Sequence, residues 1–203
     1  MRLIGFFKMM NINRICNNFH DYSDDFEANR IKTTRKLKKL YSTPKSLSIE
    51  EKQFLLMWGK DSFPLLSYLR SKLNNGEKID NYLELYNENL NKAINKYDNI
   101  KINSILHRRV FNDFFIEDVG KIGIFETPLS TTFDSNSNLE FGDFHITILA
   151  PVGTNGAYIE ELMFDESYYQ HLNEWLLPQN TRYKTLFKDY DLKEAIIMIL
   201  GDE

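Results

Sequence analysis

The run Phe144-His145-Ile146-Thr147-Ile148-Leu149-Ala150-Pro151 decides how the second half of the chain folds. It is dense in aromatic and β-branched residues, which fit a pleated surface, and it closes on a proline that cannot extend a ladder. Eight residues are few for a buried helix and the usual number for a buried strand. Other runs of the same kind lie on both sides. Downstream are Gly156-Ala157-Tyr158-Ile159, Glu174-Trp175-Leu176-Leu177-Pro178, Tyr183 to Phe187 and Ala195 to Leu200. Upstream are Leu129-Ser130-Thr131-Thr132-Phe133, Gly123-Ile124-Phe125 and the segment from Ile100 through Ile105 and Leu106 to His107-Arg108-Arg109-Val110. Turn residues separate these runs, so the sheets are expected to be antiparallel or mixed, not built from βαβ units.

Ahead of residue 100 the rhythm is helical. From Asp80 to Tyr97 the apolar positions Leu83, Tyr86, Leu90, Ala93, Ile94 and Tyr97 recur at three and four, which lines one face of an amphipathic helix. Ser62 to Leu73 reads as another helix, ended by Asn74-Asn75-Gly76. Ser48-Ile49-Glu50-Glu51 fits a capping box opening a helix through Phe54, Leu55 and Trp58 to Gly59. Further upstream, a basic stretch runs from Asp24 to Tyr41 and is closed by Ser42-Thr43-Pro44. The predicted class is α+β, an N-terminal helical segment packed on two mainly antiparallel or mixed β-sheets. It divides into a helical extension over 1–47 and a domain over 48–203, with helices over 48–97 and a strand-rich core over 100–200.

Composition excludes more than it proposes. A chain of 203 residues with 14% aromatics can bury a sizeable core and is too aromatic for disorder. No window holds 18 consecutive apolar residues, so no membrane-spanning helix is expected. The apolar start Met1-Arg2-Leu3-Ile4-Gly5-Phe6-Phe7 is broken by Lys8, Asn11, Asn13 and Arg14 before any small-residue cleavage site, so no secretory signal is read. The expectation is a cytoplasmic protein, or one exported or delivered by a signal-independent route. Cys16 is the single cysteine, which excludes an internal disulfide and a multi-cysteine zinc site. His20, His107, His145 and His171 show no metal-ligand spacing, and no metal is expected. There is no phosphate-binding glycine motif, and Gly153-Thr154-Asn155-Gly156 reads as a turn. The basic stretch with Lys32, Arg35, Lys36, Lys38 and Lys39 reads as a solvated helix face, a nucleic-acid or acidic partner being the alternative. With a net charge of −4, bulk electrostatics do not favour nucleic acid. Nothing in the sequence sets the oligomeric state.

Three segments are more informative together than apart: Leu106-His107-Arg108-Arg109-Val110, Leu129-Ser130-Thr131-Thr132-Phe133 and Glu174-Trp175-Leu176-Leu177-Pro178. In this order and spacing they resemble the Arg, Ser-Thr-Ser and Glu regions of the bacterial mono-ADP-ribosyltransferase exoenzymes. That family holds the enzymatic components of binary toxins and the Rho-modifying exoenzymes. The resemblance spans roughly residues 48 to 187. It implies an NAD-dependent transferase, a toxin or bacterial effector whose fold carries NAD between strand-built sheets. It implies that Arg108 binds NAD, on a strand whose usual aromatic neighbour is His107 here, with Arg109 beside it. Ser130-Thr131-Thr132 is similar to the Ser-Thr-Ser triplet, with a conservative change at its third position. Phe141 resembles the aromatic that packs against nicotinamide, Glu174 the catalytic glutamate, and Tyr169 the exposed aromatic of the substrate-recognition turn. The implied acceptor is a macromolecule, a protein before a nucleic acid. Leu172 departs from the pattern. Two residues before the glutamate such enzymes carry Glu or Gln, and a leucine cannot hydrogen-bond an acceptor side chain. Gln170, His171 and Glu166 are candidates to replace it from the same loop.

The chemistry accounts for these residue types. Cleaving the nicotinamide–ribose bond builds oxocarbenium character, which the carboxylate of Glu174 can stabilise. An arginine fork matches two oxygens of a pyrophosphate in one plane. A serine hydroxyl is the right size to hold the carboxylate in place, and Ser130 and Thr132 share one strand face. A carboxylate opening an otherwise apolar strand is costly unless a site needs it, which singles out Glu174. Two other readings of the scaffold stay open, a partner-binding module without transfer chemistry and an NAD glycohydrolase.

Overall fold

In the computed structural model of the chain, residues 12–59, 81–111, 116–137, 142–160, 162 and 173–201 are described. The Phe144-to-Ala150 run is strand β4 (Phe144–Ala150), buried at alternate positions and then throughout, as a strand covered on both faces requires. On one side it pairs antiparallel with β1 (Ser104–Val110), from Ser104 opposite Ala150 to Val110 opposite Phe144. On the other it pairs with β8 (Glu194–Ile199) in the one parallel ladder of the described strands. β7 (Thr181–Asp189) and β2 (Ile122–Phe125) extend this side outward. Beyond β1 come β3 (Leu129–Thr132), β6 (Glu174–Leu177) and β5 (Ala157–Tyr158). The full order is β2-β7-β8-β4-β1-β3-β6-β5.

The sequence predicts two sheets, and the hydrogen-bonded order is a single run of eight strands. The difference is narrow. The five-stranded part ending at β1 and the three-stranded part beginning at β3 meet at one register pair, His107 opposite Thr132. A joint of one pair lets the two parts diverge, and Arg108 and Ser130 lie within two residues of it.

Alternate residues of β6 feed two hydrophobic cores. Trp175 and Leu177 join Tyr22, Leu37, Tyr41, Phe133 and Ile146. Leu176 faces the other way, among Leu55, Trp58, Tyr86, Leu90, Ile94 and Tyr97. The first core includes residues of helix α1 (Ser23–Leu40), so the segment ahead of residue 48 contributes to it. The second lies under helix α2, residues 49–59, and α3 (Asn81–Ile94). Of the stripe read at three-and-four spacing, Tyr86, Leu90, Ala93 and Ile94 line the buried face of α3, the last three fully covered. Each such leucine or isoleucine is worth roughly 1.5–3 kcal/mol of burial. The predicted helix over Ser62 to Leu73 lies outside the described residues.

Three local devices follow from the sequence. At the start of α2, the Glu51 N–H donates to Ser48 Oγ at 3.2 Å and the Ser48 N–H donates to the Glu51 carboxylate at 2.7 Å, which is the capping box. The basic stretch is not one straight helix. Asn29 breaks α1 with an extended backbone (φ −162°, ψ 87°), and its side-chain oxygen accepts the Lys32 N–H at 3.0 Å, capping the second piece. In the predicted turn before β5, Gly156 lies against the Trp175 indole so closely that a Cβ would collide with it.

Candidate active site

Glu174 opens β6 and is buried, 7% exposed. Its register partner on β3 is Thr132, and Ser130 lies opposite Leu176, so Glu174, Ser130 and Thr132 share the sheet face that looks toward α2. The Ser130 hydroxyl donates to the Glu174 carboxylate. From α2, the indole N–H of Trp58 donates to Ser130 Oγ at 2.9 Å. From β1, Arg108 Nη1 donates to the Ser130 carbonyl at 3.1 Å, which brings the guanidinium within electrostatic reach of Glu174. Burial is the largest influence on Glu174 and pushes its carboxyl up to about 7. The Glu160 charge adds to this, while the Ser130 hydrogen bond and Arg108 oppose it without cancelling it. The result is a buried carboxyl held beside a half-buried hydroxyl and a half-buried guanidinium.

The neighbouring candidates have other partners. Arg109 is the register partner of His145, and its charge acts on that imidazole. His145 is pushed down to about 4, first by burial and then by His107 and Arg109, against the opposing pull of Asp21. His107 stacks on His145 with ring centroids 5.3 Å apart and Nδ1 3.1 Å from His145 Nε2. Its other nitrogen lies 3.2 Å from the Asp21 carboxylate and 3.4 Å from Ser23 Oγ. The sequence shows these histidines as far apart, and the β1–β4 pairing brings them together. Among the described residues no group of three or more His, Cys, Asp and Glu side chains is arranged to hold a metal ion. Thr131 turns away from Glu174 and donates its hydroxyl to the Trp175 carbonyl at 2.6 Å. Thr132 Oγ1 accepts the Asp134 N–H at 3.0 Å. Phe141, Tyr169 and Leu172, like Glu166, Gln170 and His171, lie outside the described residues.

Three residues around the site escaped the sequence reading. Trp58, which the sequence places only within its helix, is buried, and its N–H reaches Ser130. Asn173, just before Glu174, is fully buried with a left-handed backbone (φ 51°). Glu160, 4% exposed, accepts the Asn173 N–H at 2.9 Å. Glu160 did carry a signal, because it follows the apolar run Ala157-Tyr158-Ile159 and so repeats the costly-carboxylate pattern that singles out Glu174.

The family model of the ADP-ribosyltransferase exoenzymes matches residues 33–197, most of the chain. The chain belongs to the ADP-ribosyltransferase exoenzyme family. It is an NAD-dependent ADP-ribosyltransferase, and NAD is its substrate. Its fold is similar to several solved exoenzymes. The Plx2a ADP-ribosyltransferase toxin of Paenibacillus larvae is 22% identical with a TM-score of 0.66, covering 84% of this chain and 96% of its own. The Clostridium limosum C3 exoenzyme is 19% identical with a TM-score of 0.67, covering 85% and 95%. The C3stau2 protein of S. aureus, solved with NAD, is 17% identical with a TM-score of 0.62, covering 82% and 92%. No curated protein matches the exoenzyme chain in sequence. No helix among its described residues is long and apolar enough to cross a membrane.

Proposed function

We propose that this ADP-ribosyltransferase cleaves NAD in the pocket of Glu174, Ser130 and Arg108 and passes ADP-ribose to a protein side chain. The observation that carries the reading is the convergence of those three residues from three strands at the one-pair joint between β1 and β3. The bond from ribose C1′ to the nicotinamide nitrogen breaks, and its electron pair leaves with the ring, which becomes neutral. Positive charge then grows on the ribose, and Glu174 stabilises it as a carboxylate. A carboxyl near 7 in the free enzyme gives up its proton readily once a cationic pyridinium and a developing oxocarbenium lie beside it. Ser130 keeps that carboxylate on the ribose side, and Trp58 fixes Ser130 from behind. Arg108 supplies the planar cation for the pyrophosphate. Transfer ends when an acceptor nucleophile bonds to C1′ and loses its proton.

A protein acceptor is supported by the family; a relative of similar fold, exoenzyme S from Pseudomonas aeruginosa, is solved in complex with human 14-3-3 protein beta and bound to carba-NAD. The test is incubation with cell lysate and NAD labelled in its adenylate phosphate. The expected result is label on a band that protease removes and nuclease does not, absent for Glu174→Gln. Nicotinamide release without any labelled macromolecule overturns transfer in favour of hydrolysis. Nuclease-sensitive label moves the acceptor to nucleic acid.

A further inference from the structure

Glu174 is held by its side chain from Ser130, and its backbone is held by a second set of buried groups. Asn173 has a left-handed conformation at φ 51°, uncommon for a residue with a Cβ although asparagine adopts it more readily than most, and its neighbours hold it there. Four contacts do so. Its N–H donates to the Glu160 carboxylate at 2.9 Å. Its side-chain oxygen accepts the Thr34 hydroxyl of α1 at 3.0 Å and the Tyr158 hydroxyl of β5 at 2.8 Å. Its carbonyl accepts the Phe133 N–H at 3.3 Å. One residue on, the Glu174 carbonyl accepts the Ile159 N–H at 3.2 Å, so the Ile159-Glu160 and Asn173-Glu174 pairs are laced together.

We propose that Glu160 is a positioning residue for Glu174, its buried carboxylate clamping Asn173 and thereby fixing the backbone from which Glu174 reaches the ribose. The inference rests on the reading of Glu174 as the residue that meets NAD. A neutral acceptor would satisfy the Asn173 N–H equally well, so the charge at Glu160 has a second consequence. Among the described residues, the charged groups acting on Glu174 are Arg108 from β1 and Glu160 after β5, and they act in opposite directions. Glu160 therefore places the carboxylate and adds to the rise in its proton affinity that burial mainly sets.

Two substitutions separate these effects from a merely structural role. E160A removes the acceptor, and kcat for nicotinamide release is expected to fall about tenfold or more while KM for NAD stays within about twofold. E160Q keeps an oxygen for the Asn173 N–H, so it is expected to recover most of that loss. Having no charge, it is expected to move the acid limb of kcat/KM about half a pH unit or more downward. The same shift is read without turnover from the carboxyl 13C titration of Glu174, assigned by comparison with E174Q. If E160A matches wild type, or if the Glu174 midpoint is the same in E160Q and wild type, the proposal is overturned. If the midpoint moves as stated while wild type releases no nicotinamide, the charge effect of Glu160 on Glu174 stands and the reading of the reaction falls.

Discussion

Replacing Glu174 by glutamine is expected to abolish catalysis and also to stabilise the protein in a pH-dependent way. The carboxyl is raised from its ordinary 4.5 to about 7 by burial, so the folded state holds a proton that the unfolded chain has already lost. The sign follows from that difference. Below 4.5 the group is neutral in both states and costs nothing. As pH rises to about 7 the folded state must give up a proton it retains, or bury a charge, and stability falls; above 7 the penalty is constant. The gap between 4.5 and about 7 corresponds to about 3 kcal/mol. Glutamine has nearly the same shape, still accepts the Ser130 hydroxyl, and carries no such penalty. In a chain of this size about 3 kcal/mol is worth about 5–10 °C in Tm. Thermal unfolding of wild type and Glu174→Gln at pH 8 and pH 5 is the assay. The variant is expected to melt about 5–10 °C higher at pH 8, and the gap is expected to shrink to about a third or less at pH 5. Every other titrating group is common to both proteins and cancels. A gain that is the same at both pH values, or a variant less stable at pH 8, refutes the reasoning that a dry, uncompensated carboxylate sits here.

Other expectations follow from single contacts. Trp58→Phe keeps the buried ring and loses the N–H that holds Ser130, so kcat is expected to fall about five- to tenfold with KM for NAD little changed, as steady-state kinetics would show. Arg108→Lys loses the planar fork and is expected to weaken NAD binding about tenfold or more by calorimetry, whereas Arg109→Gln, beside the His107–His145 pair, is expected to cost much less. His145 is held neutral down to about 4, so the unfolded chain takes up its proton first and stability is lost as pH falls below 6.5. His145→Gln is therefore expected to lose fewer degrees of Tm between pH 7 and pH 5 than wild type. The acid limb of wild-type kcat/KM is expected near pH 7, reporting Glu174 in the free enzyme.

The elements were legible because each is specified over a few residues. The α3 stripe needs only 3.6-residue periodicity, the α2 start needs only Ser48 and Glu51, and β4 and β6 are short apolar runs with clear ends. Glu174 could be singled out because a carboxylate is expensive where it stands, and Ser130 because Ser130-Thr131-Thr132 resembles the family's Ser-Thr-Ser triplet. What the sequence left open is set by long-range pairing. Which of Arg108 and Arg109 lies with Glu174 depends on how β1 meets β3 and β4, and Arg108 contacts Ser130 while Arg109 lies by His145. Trp58 and Asn173 are unremarkable until α2 and β5 are folded against β3 and β6. The break at Asn29 escaped for a different reason. Its flanks favour helix on both sides, and an asparagine that caps a helix looks the same in sequence as one exposed within it.

The central claim is that Glu174 acts on the bond that breaks and not on the binding of NAD. Measuring nicotinamide release together with the calorimetric Kd for NAD, in wild type and Glu174→Gln, tests it most directly. The account predicts a Kd within a few-fold of wild type and a cleavage rate lower by about a hundredfold or more. Cleavage at the wild-type rate by Glu174→Gln, or a rate loss matched by an equal loss of NAD affinity, contradicts it.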